Sequence, residues 1–105
     1  MQEHYRVLVV GRRPEAVDGV TKTLETNAYV VTSTVIDNVA IDIAGSSELD
    51  ALVIGEGVPS SDRGYLVRQV RDRQPDIAVV VAHGPHSVLT QLRQAFKERD
   101  SERAG

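Results

Sequence analysis

The chain has 105 residues, of which 41% are hydrophobic and 26% charged, with a formal net charge of −3. That is the size and composition of one globular domain, and the acidic balance excludes a general polyanion binder, so no nucleic-acid partner is expected. The absence of cysteine excludes a disulfide scaffold, thiolate zinc sites and thiol catalysis.

The N-terminal stretch 1–6 is polar. The first apolar run, Val7-Leu8-Val9-Val10, is too short for the core of a secretory leader. No run approaches the roughly 18 apolar residues of a membrane span. The expected compartment is therefore the cytoplasm, with no membrane partner. The same run is apolar without alternation, as in a strand buried on both faces, and Gly11 stops it. Pro14 suits the first turn of a helix. Val17, Val20, Leu24 and Ala28 then recur at spacings of three and four, which draws one helical face. Gly19 interrupts that helix at a cost of about 1 kcal/mol relative to Ala, and Asn27 reads as its end.

Residues 30–36, Val-Val-Thr-Ser-Thr-Val-Ile, are β-branched and more polar, as in an edge strand. Asp37 reads as an N-cap. Ala40, Ile43 and Ala44 form the inner face of a short helix ended by Gly45-Ser46-Ser47. Leu52-Val53-Ile54 is a third strand, and 55–61 is loop. The next helix turns Leu66, Val67 and Val70 inward and Arg63, Arg68, Arg71 and Arg73 outward until Pro75 stops it. Residues 77–82 form a fourth strand, and Gly84-Pro85 breaks the chain. A last helix carries Val88, Leu89, Leu92 and Phe96. The charged tail from Lys97 is expected to fray, with about 100–105 frayed outright.

The order βαβαβαβα with apolar strands predicts a parallel sheet covered by helices on both faces. The expected architecture is an α/β three-layer sandwich, flavodoxin-like, with four strands in the order 2-1-3-4. Ligands in such sheets sit beyond the carboxyl ends of the strands where the order reverses. Here that point lies between the turn 11–14 and the turn 55–59. Arg12, Arg13 and Glu56 should meet there. They read either as a site, with Arg12 holding an anion at a helix N-terminus or pairing with Glu56, or as solvated loop charges. His83 and His86 lack a third ligand for a metal and read as loop histidines. Ser60 and Ser61 read as caps of the following helix, with Asp62 favouring its positive end, since neither a nucleophile-elbow pattern nor a base is in view. The stripe Val88, Leu89, Leu92 and Phe96 reads as core or, in part, as an interface.

Several segments together resemble the receiver domain of the response-regulator family. Residues 7–14 resemble its opening strand and following proline, and Ala40 falls where the family's second helix has Ala. Asp50-Ala51-Leu52-Val53-Ile54-Gly55 resembles the strand that carries the phosphate-accepting Asp. Pro59, Asp62, Leu66, Val67, Arg68, Val70 and Arg71 keep the family's spacing, and residues 76–81 resemble its fourth strand. The resemblance spans residues 6–84. It implies a role in two-component signal transduction.

The reaction set departs from that pattern. The phosphoacceptor position is Gly55, and a glycine cannot be a carboxylate nucleophile. The positions that would hold a divalent cation are Gly11 and Arg12, neither of which offers the oxygen ligands such a cation takes. The hydroxyl position at the end of the fourth strand is His83 or Val81, and the fifth strand with its Lys has no counterpart. The resemblance thus implies a pseudo-receiver, not an enzyme, needing no metal or cofactor. A protein partner or a second copy should dock near the fourth strand, whose apolar outer edge lacks a neighbour. A small-anion or nucleotide sensor using the turn after the first strand is the other reading. The last helix could stand on either face of the sheet.

Overall fold

The computed structural model describes residues 4–104, with side chains through residue 102. Four strands alternate with four helices: β1 (Arg6–Val10), α1 (Pro14–Thr26), β2 (Val30–Thr34), α2 (Asp37–Ser46), β3 (Ala51–Gly55), α3 (Ser60–Arg73), β4 (Ala78–Ala82) and α4 (Val88–Ala104). All strand pairs are parallel, in the order β2-β1-β3-β4. Val7 stands level with Val31 and Ala51, and Ala51 with Ala78. The topology is the flavodoxin-like one expected from the residues.

The unbroken apolar character of β1 and β3 follows from their central position. Successive side chains point to opposite faces, and both faces are covered. Val7, Val9, Ala51 and Val53 join Val17, Val20 and Leu24 of α1 and Val88, Leu92 and Phe96 of α4 in one core. Leu8, Val10, Leu52 and Ile54 join Ala40, Ile41 and Ala44 of α2 and Leu66 and Val70 of α3 in the other. The last helix therefore shares a face with α1. The stripe left open between core and interface is core for Val88, Leu92 and Phe96, while Leu89 packs half-buried at its margin.

Five local expectations need correction. Ala28 does not extend the α1 stripe. It lies past Asn27 with φ +70° in the left-handed region and is exposed. Its N–H bonds to Glu25 O and that of Tyr29 to Leu24 O, a Schellman ending built on Ala instead of Gly. β2 stops at Thr34 because its partner β1 ends. The Gly11 N–H still reaches Thr34 O, but Val35 and Ile36 find no ladder and stay exposed. Thr34 Oγ1 instead accepts from the Ile36 N–H and turns the chain. Asp37 is the first residue of α2, not its cap; Ile36 is the cap, without a side-chain bond. Within α2, Ile41 is buried and Ile43 only half-buried.

The fifth correction concerns the tail. α4 runs unbroken to Ala104, and Gly105, like residues 1–3 of the polar N-terminal stretch, lies outside the described residues. Arg99 anchors it. Its Nη1 donates to the backbone oxygen of Asp50 at 3.0 Å, and its guanidinium lies 5.1 Å from the Phe96 ring centre and 5.9 Å from that of Tyr5. Tyr5 and Phe96 stack at 4.1 Å, with Tyr29 6.3 Å from Phe96. Burial pushes the Tyr29 phenol above its usual pKa, against an opposing pull from Arg93. A charged segment that looks solvated in sequence is thus pinned by cation–π and backbone contacts.

Candidate functional site

Each helix of a parallel α/β sheet begins where a strand ends. The first turns of α1, α2 and α3 and the turn into α4 therefore gather at one end, the mouth of the sheet. Gly11 follows β1 there and Gly55 closes β3. A Cβ on Gly11 would stand 2.6 Å from Cγ2 of Val17, and one on Gly55 would stand 3.4 Å from the Gly11 Cα. The floor of the mouth is backbone against backbone with a valine methyl beneath; a methyl at Gly11 would force Val17 to shift, whereas one at Gly55 would rest in van der Waals contact with the Gly11 backbone.

Above this floor Arg12 spans two helix starts. Its Nη1 and Nη2 donate to Asp37 Oδ1 and Oδ2 at 3.0 and 2.9 Å, a bidentate pair, and Nη2 also donates to Asp62 Oδ2 at 3.2 Å. The hydrogen bonds to Asp37 raise the Arg12 pKa further above its ordinary value, those to Asp62 adding to them against desolvation. Both acids stand in a first helical turn, where the helix dipole favours negative charge. Arg12 does not pair with Glu56. Glu56 lies 3.3 Å from His83 Nδ1, and both side chains are 64% exposed. Arg13 is exposed ahead of α1 and gives no cap bond. With the Arg12 fork engaged by two carboxylates, an anion at this turn would be left to Arg13 and to backbone N–H groups.

Ser60 and Ser61 lie within the first turn of α3, behind Pro59 at the cap position, and no side chain caps the helix. Asp62 answers Arg12. His83 and His86 are exposed, and among the described residues no group of three His, Cys, Asp or Glu could hold a metal ion. Arg68, Arg71 and Arg73 are exposed on α3, and Arg63 is half-buried.

The outer edge of β4 has one polar neighbour in α4. The Gln91 carboxamide donates from Nε2 to Val81 O at 2.7 Å and accepts from the His83 N–H at 3.3 Å. One side-chain amide thereby takes two positions that a neighbouring strand would use. In a parallel ladder alternate residues face one neighbour. Ala78 donates toward β3, to Asp50 O, so the N–H and C=O of Val79 and the N–H of Val81 face outward. Their side chains are half-buried.

Sequence reasoning set Arg12 in the turn after the first strand, Asp37 as a cap and Asp62 at a helix start, and missed that the three meet. The signal was available: two first-turn acids of a βα fold must both point toward the mouth where Arg12 sits. Gln91 carried no such signal, because a polar residue on a surface helix has no unique reading.

No family model matches the chain, and no curated protein matches it. Solved structures do. A CheY-like response regulator receiver domain protein from Methanospirillum hungatei superposes with a TM-score of 0.82 at 12% identity, over 95% of this chain and 99% of that one. The fold is the receiver fold. A signal receiver domain of an HD domain-containing protein from Pseudomonas fluorescens gives 0.78 at 14% identity, over 94% and 99% of the two chains. At such identities the likeness concerns the path of the backbone, whose α4 here stands beside α1 after only four strands.

Proposed function

We propose that residues 1–105 form one non-enzymatic, receiver-like signalling module that does not accept phosphate and acts by docking to protein through β4 and α4. The observation that carries this reading is the mouth itself. Gly55 and Gly11 pack against each other over a valine methyl, and the charge above them is the Arg12 cation between Asp37 and Asp62. A phosphoacceptor needs a carboxylate at the strand end and oxygen ligands for a divalent ion. Gly55 and Gly11 supply neither.

The docking part rests on the β4 edge. β4 is apolar throughout, is the last strand of the sheet, and is capped by Gln91 only at its carboxyl end. Open apolar edges pair with other strands. We propose that the neighbour is a second copy of this chain, giving a homodimer, in the cytoplasm.

Two measurements test the reading. Incubation with acetyl phosphate and Mg²⁺ should leave the intact mass unchanged; a phosphoryl adduct on an Asp would overturn the first half. Sedimentation at tens of micromolar should give a dimer, and Thr90→Lys, which sets a charge beside the open edge from an exposed position of α4, should give a monomer with unchanged circular dichroism. A wild-type monomer would overturn the second half.

A further inference from the structure

Behind the floor of the mouth lies a cavity of about 210 Å³ between α1, the carboxyl ends of β1, β3 and β4, and the turn into α4. Its walls are Val17 and Val20 of α1, Val53 and Ala82 of the sheet, and Pro85. Backbone at Gly55 and Gly84 completes them, and the charges of Arg13, Glu15 and Glu56 stand among the lining residues. Two glycines shape the entrance. Gly84 holds φ +118°, a conformation that side-chain-bearing residues rarely adopt, and so sets the turn that carries Pro85. Gly19 faces Pro85, where a Cβ would find its nearest neighbour 3.8 Å away. A side chain longer than methyl at Gly19 would extend into the gap between α1 and that turn.

We propose that this cavity is a binding site for a small planar apolar compound of one or two fused rings. The site lies beyond the carboxyl ends of β1 and β3, where the connections leaving the two paired strands run in opposite directions, the place at which open α/β sheets take ligands. Protein interiors pack at the density of organic crystals, and an unfilled hydrocarbon-lined space forfeits dispersion contacts that an occupant restores. The aliphatic part of the wall, Val17, Val20, Val53, Ala82 and Pro85, offers water no hydrogen bonds from its side chains. A cavity of about 150 Å³ with aliphatic and aromatic walls stays dry and binds benzene. The larger space here, bounded by sheet on one side and helix on the other, suits a flat ring of benzene or indole size. Arg12, engaged by Asp37 and Asp62, is not among the lining residues, and the lining cation Arg13 is outnumbered by Glu15 and Glu56, which disfavours an anionic substituent.

This site depends on the cavity alone and not on the docking reading, whose test is the oligomeric state. The experiment is titration of the ¹⁵N-labelled full chain with indole, followed by amide correlation spectra. The expected result is saturable one-site shifts centred on the amides of Gly11, Gly19, Gly55, Gly57 and Gly84. Val20→Phe, which fills the cavity from α1, should weaken binding by about tenfold or more, equivalent to about 1.4 kcal/mol or more. Should that variant not fold, Gly19→Leu closes the entrance from a helix surface position and should give the same loss, whereas Gly19→Ala should keep binding. Shifts that do not saturate, shifts centred on the exposed Val35, Ile36 and Val39, or undiminished binding in the filled variant would each overturn the proposal.

Discussion

An arginine organises each end of the sheet, and the two do different things. Arg99 at the base is 12% exposed. It bonds to the backbone of Asp50, sits by a stack of two rings, and shares Asp50 with Arg6, whose N–H donates to Asp50 Oδ2 at 2.8 Å. Arg12 at the mouth is 29% exposed and holds two helix starts through carboxylates alone. The base joins the starts of three strands and the last helix through rings, backbone and the Asp50 carboxylate. The mouth joins its elements through charges over a floor of glycine, and next to it lies unfilled space. The rigid end anchors the fold, and the end with room and adjustable contacts is where binding chemistry can change without loss of the fold.

The largest effect should come from taking the base apart. Phe96→Ala removes a ring that is 5% exposed and stacked on Tyr5, and should cost about 3–4 kcal/mol. Urea unfolding would show it, together with loss of helical signal from the end of α4. A cost under about 1 kcal/mol would mean that the base is no anchor. At the mouth, Gly11→Ala should cost about 2–3 kcal/mol, because the new methyl meets Val17 at 2.6 Å. Val17→Ala in the same chain should return part of that loss, a non-additivity that a double-mutant cycle reads directly. Additive effects would show that the two residues do not press on each other. Smallest is Arg12→Ala, at about 1 kcal/mol for a partly exposed ion pair. Its mark should be faster amide exchange in the first turns of α2 and α3, with the base unchanged. That loss should also shrink as salt is raised toward 1 M, where the Debye length falls to about 3 Å.

The mouth shows how far local reading goes. The resemblance to receivers singled out Gly11 and Gly55 as positions where that family carries carboxylates. The contact between their backbones, and the valine methyl beneath, could not be read, because Val17 looked like any other residue of a helical stripe. Arg12 was visible as a charge at the right turn, yet its pairing with Glu56 was a reasonable guess that failed. Asp37 accepts from both nitrogens of the guanidinium fork through its two oxygens and is less exposed than Glu56. His83 took Glu56 instead. The tail misled for a similar reason. Alternating charges from Lys97 onward imply solvent, and only the spatial nearness of Asp50, Tyr5 and Phe96 makes Arg99 a fastening.

What the residues determined unaided was the kind and order of the elements, the parallel sheet and the arrangement 2-1-3-4. These follow from periodicity, glycine and proline punctuation and the right-handed crossover, all of them local or nearly so. The tertiary structure alone decided the face on which α4 lies, the partners of the two arginines, the cap that Gln91 sets on β4, and the cavity. Those contacts join residues far apart in the chain: 25 and 50 positions for Arg12 with Asp37 and Asp62, and 49 for Arg99 with Asp50. Pairing at that range is chosen by packing geometry after the layers assemble, and no pattern within one segment encodes it.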